Sequence, residues 1–127
     1  MFKTSFVVFL VVGSITAMSA QQPAFKRTVL QTVELSIAGR EAVTAKAELP
    51  AGVSSGRHTH PGEEIGYVLE GTLTIERDGQ SKTVKAGEAF AIPAGQVHNA
   101  INAGTAQATI VSTYIVEKGK PLATPAK

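Results

Sequence analysis

Apolar and polar residues alternate along several stretches of the chain. Because successive side chains of a β-strand point to opposite faces, each stretch predicts a strand with one buried face. The apolar positions are Val33, Leu35 and Ile37; Val43, Ala45, Ala47 and Leu49; and Leu73 and Ile75. Beyond the first 20 residues, no stretch of similar length has a helical period. The pattern therefore predicts an all-β fold.

Regular turn signals support this prediction. Glycines at positions 62, 71, 79, 87, 95 and 104 recur at intervals of eight or nine residues, between segments rich in Val, Ile, Leu and Thr. Such spacing is typical of a sandwich or barrel of short strands. Asp78-Gly79 separates two of these segments and predicts a two-residue hairpin turn, because both central residues of that turn need a positive φ. We expect a single closed β-structure.

The N-terminus has the three-part pattern of a secretory signal peptide. Lys3 is followed by an apolar run over 5–12 and by small residues over 14–20, which predicts a signal peptide at 1–20 with cleavage near Ser19 or Ala20. The protein is then exported, periplasmic or secreted, with no stable membrane anchor after cleavage. A retained signal anchor is the alternative, but the uncharged stretch 4–20 is at the short limit of the roughly 17–25 residues needed to span a bilayer.

Composition limits the classes of partner and indicates how the chain is divided into segments. A formal net charge of +2 and the few aromatic residues after the leader do not favour nucleic acid as a partner. The chain has no Cys, so neither disulfides nor thiolate metal sites are expected. We predict an N-terminal arm at 21–27, one domain at 28–117 and a flexible C-terminal tail at 118–127, which contains two prolines.

The three histidines of the chain are placed where one metal ion could bind them all. His58 and His60 are two positions apart in a strand-like segment, so their side chains share a face. Glu64 follows the Pro-Gly turn after His60, and His98 follows a second turn. Three imidazoles and one carboxylate suit one divalent transition metal, and this set alone does not choose among Fe, Mn, Ni, Zn and Cu.

Two segments resemble the two sequence motifs of the cupin family. Residues 52–71 have the pattern Gly-x5-His-x-His-x3-Glu-x6-Gly, and residues 87–102 have the pattern Gly-x5-Pro-x-Gly-x2-His-x3-Asn. The 15 residues between them resemble the short spacer of small single-domain microbial cupins. The resemblance implies a conical jelly-roll barrel, also called a double-stranded β-helix, with the metal held inside by His58, His60, Glu64 and His98.

Strand parity predicts the walls of a substrate pocket beside the metal. Gly66 and Val68 share the face of Glu64, Ala100 shares the face of His98, and the wall is completed by Phe90 and Ile92. A glycine at 66 is expected to leave room for a substrate or for dioxygen. Plain core packing is an equally good interpretation of Phe90.

Three classes of function fit these residues. The first is a metal-dependent oxygenase similar to quercetin dioxygenase-like proteins, in which Glu64 is both ligand and candidate catalytic base and the substrate is a small, for example aromatic, molecule. The second is a metal-assisted isomerase or lyase; a metal-free version lacks a further His. The third is a non-catalytic module that binds a metal or a small ligand. A homodimer is expected, formed through sheet faces or by exchange of the stretch 25–37.

Overall fold

The computed structural model describes residues 24–127, which form ten β-strands and no helix. The all-β prediction is therefore confirmed for this part of the chain. The strands are β1 (Lys26–Glu34), β2 (Arg40–Leu49), β3 (His58–Thr59), β4 (Gly62–Glu70), β5 (Thr72–Arg77), β6 (Gln80–Lys85), β7 (Ala89–Ile92), β8 (Asn99–Ile101), β9 (Ala108–Glu117) and β10 (Thr124–Pro125).

The strands form three antiparallel sheets. The largest has five strands in the order β1-β2-β9-β4-β7, and a three-stranded sheet has the order β6-β5-β8. The third sheet pairs β10 with β3. An isolated bridge joins His58 to His98, with reciprocal backbone hydrogen bonds of 3.0 Å. Residues that are 40 positions apart in the sequence are thereby held side by side.

Alternation along β4 and β9 separates the interior from the surface. On β9, Ile110, Ser112, Tyr114 and Val116 are buried, whereas the residues between them are half-buried. Ile110 belongs to one apolar cluster, and Tyr114 and Val116 belong to a second. Ser112 lies between the two clusters on the same strand face. The interior therefore contains a polar region with apolar packing on both sides along the strand.

The predicted hairpin at Asp78-Gly79 is confirmed. Asp78 has φ 51° and Gly79 has φ 70°, and Arg77 pairs with Gln80 across the turn. Two positive φ values in succession are what a two-residue turn of this type needs, because its backbone twist then matches that of the flanking strands.

The first predicted strand is wrong in its end and in its buried face. β1 ends at Glu34, and Val33 and Ile37 are 45% and 63% exposed. Beyond Glu34 the chain turns back towards β2, and the N–H of Arg40 donates to the carbonyl of Ile37. β1 is an edge strand of the five-stranded sheet. Alternation in the sequence therefore does not correspond to burial here.

The terminal segments also differ from the prediction. β1 begins at Lys26, so part of the segment predicted as an arm is in the sheet. The segment 118–127, predicted as a flexible tail, contains β10, and Leu122 packs against the second apolar cluster. Pairing with β3 and apolar packing thus fix a segment whose prolines and small residues suggested mobility.

The predicted signal peptide at 1–20 lies outside the described residues. Over residues 24–127, no helix is long and apolar enough to cross a membrane.

Candidate metal centre

Two strands, the turn between them and the residue before a third strand bring the candidate ligands together. His58 lies on β3, His60 lies in the turn that follows, Glu64 lies on β4, and His98 lies immediately before β8. All four residues are buried. One potential ligand atom from each histidine lies within 4.8 Å of those of the other two. The structure therefore assembles the three imidazoles that the sequence predicted as metal ligands.

A backbone carbonyl fixes the orientation of each imidazole. A carbonyl oxygen can only accept, so each Nδ1 atom carries a proton, and a ring without a second proton has its lone pair on Nε2. The Nδ1–O distances are 2.7 Å from His58 to Gly56, 2.7 Å from His60 to Leu122 and 2.9 Å from His98 to Gln96. Hydrogen bonds of this kind to the remote nitrogen orient metal-binding histidines in proteins.

The carboxylate of Glu64 faces the same centre. Its Oε1 atom accepts a hydrogen bond of 2.8 Å from the Ser112 hydroxyl, and its Oε2 atom lies 3.1 Å from His60 Nε2 and 3.3 Å from His98 Nε2. His60 Nε2 is buried and has no hydrogen-bond partner in the described part of the chain. Imidazole nitrogens this close to a buried carboxylate oxygen need a cation between them, either a proton on Nε2 or a metal ion. The donor set therefore fits a bound metal cation.

The protonation states favour metal binding near neutral pH. Burial lowers the pKa of His58 to about 4, although the hydrogen bond to Gly56 opposes this shift. For Glu64, burial alone would raise the pKa, but the contacts with His60 and His98 outweigh it and hold the pKa well below its ordinary value. A neutral His58 and an ionised Glu64 are the forms that coordinate metals.

A small cavity opens beside this cluster. Its volume is about 30 Å³, and His58, Glu64 and His98 line it together with Phe90 and Ala100. A water molecule needs roughly 10–15 Å³ of such volume. The cavity therefore has room for a ligand of only a few non-hydrogen atoms.

The predicted pocket is corrected at three of its five positions. A Cβ atom at Gly66 would lie 2.1 Å from Cζ of Phe90, so the Phe90 ring fills the space that was expected for a substrate or dioxygen. Val68 and Ile92 are packed in the first apolar cluster and do not line the cavity. Phe90 and Ala100 line the cavity.

Four residues near the centre were missed by the sequence analysis. Ser112 and Tyr114 lie on β9 among buried apolar residues, and the ring centroid of Tyr114 is 4.6 Å from that of His60. A polar residue in the inward row of an apolar strand is a signal that could have identified them. Phe25 and Arg27 also line the cavity, but they come from the segment that was predicted to be an arm. No pattern in that segment indicated the site.

A family model and two sequence relatives agree with this fold. The family model described as "Cupin domain" matches residues 45–114, more than half of the chain. The chain is 35% identical over 78 residues to "Germin-like protein 3-5" of Oryza sativa subsp. japonica, a match covering 54% of this chain and 34% of that protein. It is 33% identical over 73 residues to the "Oxalate-binding protein" of Thermotoga maritima, covering 57% of this chain and 60% of that protein. The chain thus spans only part of both relatives.

A solved structure supports the architecture independently. A protein from Klebsiella pneumoniae with a double-stranded beta-helix domain superposes with a TM-score of 0.66 at 22% identity, covering 84% of this chain and 90% of that one. Because the sequence identity is only 22%, this superposition shows that the two proteins share a fold. Together with the family match, it shows that the chain belongs to the cupin family and has an all-β jelly-roll barrel.

Proposed function

We propose that the protein is a metal-dependent oxygenase-type enzyme that acts on a small molecule at a centre formed by His58, His60, Glu64 and His98. The observation that carries the proposal is the shared orientation of the three rings, each with Nδ1 bonded to a carbonyl, so that Nε2 is the nitrogen that would coordinate a metal. A divalent transition metal held there would supply Lewis-acid chemistry, and a redox-active one such as Fe, Mn or Cu would also supply redox chemistry. The metal is Fe, Mn, Ni, Zn or Cu, since imidazole and carboxylate ligands suit all of these.

Glu64 has two different roles in this proposal. Ser112 holds Oε1, which fixes the plane of the carboxylate and leaves Oε2 facing the histidines. Oε2 is therefore the atom that contributes to metal binding. Glu64 is also the candidate base next to the cavity, but its lowered pKa makes it a weak proton acceptor as long as its contacts with His60 and His98 persist.

The cavity beside Phe90 limits the size of a molecule that binds within it. A cavity of about 30 Å³ favours a molecule of a few non-hydrogen atoms over an aromatic one. Ligand pockets for larger organic molecules usually measure roughly 300–1,000 Å³. One relative is named as an oxalate-binding protein, so oxalate belongs among the first compounds to test.

The central experiment measures metal content and dioxygen consumption. Protein purified without chelators is expected to contain, or to take up on titration, about one metal ion per chain. His58→Ala, His60→Ala and His98→Ala should each reduce metal content and melting temperature together, because a bound metal stabilises the folded state by mass action. The exposed-residue control Thr83→Ala should leave both unchanged. No metal uptake by the wild-type protein would refute the proposal.

Two other functions are distinguished by the same assays. Dioxygen consumption with small acids, phenols and diketones supports an oxygenase. Conversion of a compound without dioxygen indicates a metal-assisted isomerase or lyase instead. Stabilisation by a ligand without any turnover indicates a binding module, since a binding site and an active site can share the same metal ligands.

We further propose that the protein acts after export from the cytoplasm. The support is the signal-peptide pattern of residues 1–20. Expression of the full chain in a Gram-negative host, followed by fractionation and N-terminal sequencing, is expected to give periplasmic protein that begins near residue 20. Protein that keeps Met1 and stays in the cytoplasmic fraction would contradict export.

We propose a homodimer as the working form. Ile65, Tyr67 and Leu69 are 51%, 45% and 49% exposed on β4, and Val29 and Leu30 are exposed on the edge strand β1. The apolar face of β4 and the open edge at β1, which are separated by β2 and β9, are two surfaces to which a second copy can add. Light scattering should give the mass of two chains, and Ile65→Lys should shift it towards one. A monomeric wild-type protein would contradict the proposal.

A further inference from the structure

We propose that Arg27, on the N-terminal strand, binds the carboxylate group of a small anionic substrate at the metal centre and thereby determines its specificity. This inference rests on the proposed function, because it assigns the substrate class of the same site. It adds a residue from outside both cupin motifs, on a strand that precedes the matched family region of 45–114.

Arg27 is held at the cavity by two aromatic rings. It lines the same cavity as His58 and Glu64. The central carbon of its guanidinium group lies 5.2 Å from the ring centroid of Phe25 and 5.6 Å from that of Tyr114. Cation–π contacts of this kind position a guanidinium group without using its hydrogen-bond donors. The buried Nε–H of Arg27 therefore remains available to a ligand.

The charge of Arg27 has no carboxylate partner in the described part of the chain. Its Nε atom is buried without a hydrogen-bond partner, and none of the ion pairs found over residues 24–127 involves this residue. Residues 1–23 contain no Asp or Glu, so they offer no side-chain carboxylate either. A buried charged donor without an acceptor is costly, and a ligand that supplies the acceptor removes this cost.

The charges around the cavity select an anion. The Glu64 carboxylate offsets only part of the charge of a divalent cation held by neutral imidazoles, and Arg27 adds a further positive charge. A positively charged lining inside a barrel attracts anions and disfavours neutral molecules. The flat fork of a guanidinium group matches the two oxygens of a carboxylate. With space for a few non-hydrogen atoms, the fitting ligand is a small carboxylate.

Binding assays test this inference without relying on turnover. Full-length protein loaded with Mn²⁺ is titrated calorimetrically with glycolate, with oxalate and with the neutral analogue glycolamide. Arg27→Gln removes the charge, Arg27→Lys keeps it without the fork, and Lys26→Gln is the matched control. Lys26 is exposed and adjacent, so its replacement removes the same charge outside the cavity.

Wild-type protein and Lys26→Gln are expected to bind the acids equally, and Arg27→Gln about ten- to a hundredfold more weakly, with unchanged Mn²⁺ content. Arg27→Lys should be intermediate, and glycolamide should bind more weakly than glycolate to the wild type. The inference about Arg27 is overturned if Arg27→Gln and the wild type bind the acids equally, or if Mn²⁺-loaded wild type binds neither acid. Either result leaves the proposed function standing. Failure of the wild type to take up Mn²⁺ overturns the proposed function.

The role of Arg27 can be tested even if Arg27→Gln fails to fold. If Arg27→Gln does not fold, as judged by its melting curve, Arg27→Lys and the glycolate–glycolamide comparison decide it. Equal affinity of the wild type for both compounds, or of Arg27→Lys and the wild type for glycolate, then overturns the role of Arg27.

Discussion

The Nδ1 atom of His60 lies 2.7 Å from the carbonyl oxygen of Leu122, although 62 positions separate the two residues in the chain. Leu122 also packs against the second apolar cluster, and β10 follows it and pairs with β3. The C-terminal segment thus orients a candidate metal ligand. It does so with a backbone atom, which no side-chain motif reveals.

Removing this segment should weaken metal binding. A chain that ends at Lys120 lacks the Leu122 carbonyl, so the ring of His60 loses the hydrogen bond that fixes its orientation. Loss of such a contact typically lowers metal affinity about 10–100-fold. A chain that ends at Pro125 keeps Leu122 and is the control. Competition titration with a metal indicator measures both, and equal affinities would show that the segment has no role in the site.

Ser112→Ala should also lower metal affinity, by about 10–100-fold. The substitution leaves Oε1 of Glu64 without its buried hydrogen-bond donor, so the carboxylate is free to rotate away from the histidines. Ser81→Ala, at an exposed position of β6, controls for loss of a hydroxyl elsewhere. Metal titration and urea denaturation are measured for both variants. A wild-type affinity in Ser112→Ala would mean that Glu64 is oriented by other contacts.

Gly66→Ala should destabilise the protein through a clash with Phe90. The added Cβ would lie 2.1 Å from the ring, which must then move. Overpacking of this kind costs about 1–3 kcal/mol in the free energy of unfolding. The double variant Gly66→Ala with Phe90→Leu should recover part of the loss, because the smaller side chain makes room. Urea denaturation measures the effect, and a double variant no more stable than Gly66→Ala would argue against the clash.

The metal-free protein should lose stability on acidification. His58 has a pKa of about 4 in the folded state and an ordinary value of 6.5 when unfolded, so the unfolded chain takes up the proton first. This contribution is present above pH 6.5 and is lost as the pH falls through about 4. It is on the order of 1–3 kcal/mol after allowance for solvent screening.

The measurement is urea denaturation with a chelator present, from about pH 7 to about pH 4. In His58→Asn, which keeps a donor near the Gly56 carbonyl, the free energy of unfolding should fall less steeply over the same range. An identical pH dependence in both proteins would show that His58 does not contribute.

Much of the fold and of the candidate site could be predicted from the sequence. Short sequence signals predicted the structure correctly where they determine the backbone dihedral angles, as at the Asp78-Gly79 turn. Alternation predicted burial correctly at Leu73 and Ile75, which face the interior, and failed at Val33 and Ile37. The two cases differ because alternation shows only that a strand has one apolar and one polar face. Whether another layer covers the apolar face depends on the neighbouring strands.

The sequence by itself determined the all-β fold and, through the spacing of His58, His60, Glu64 and His98, the residues that form the candidate centre. Only the tertiary structure decided what surrounds them. It placed the Leu122 carbonyl on His60, the Ser112 hydroxyl on Glu64 and the Phe90 ring in the space beside Gly66. It also brought Arg27 to the cavity. Ligand spacing is a local property of the chain, whereas orientation, cavity volume and the charge of the lining depend on contacts between distant segments.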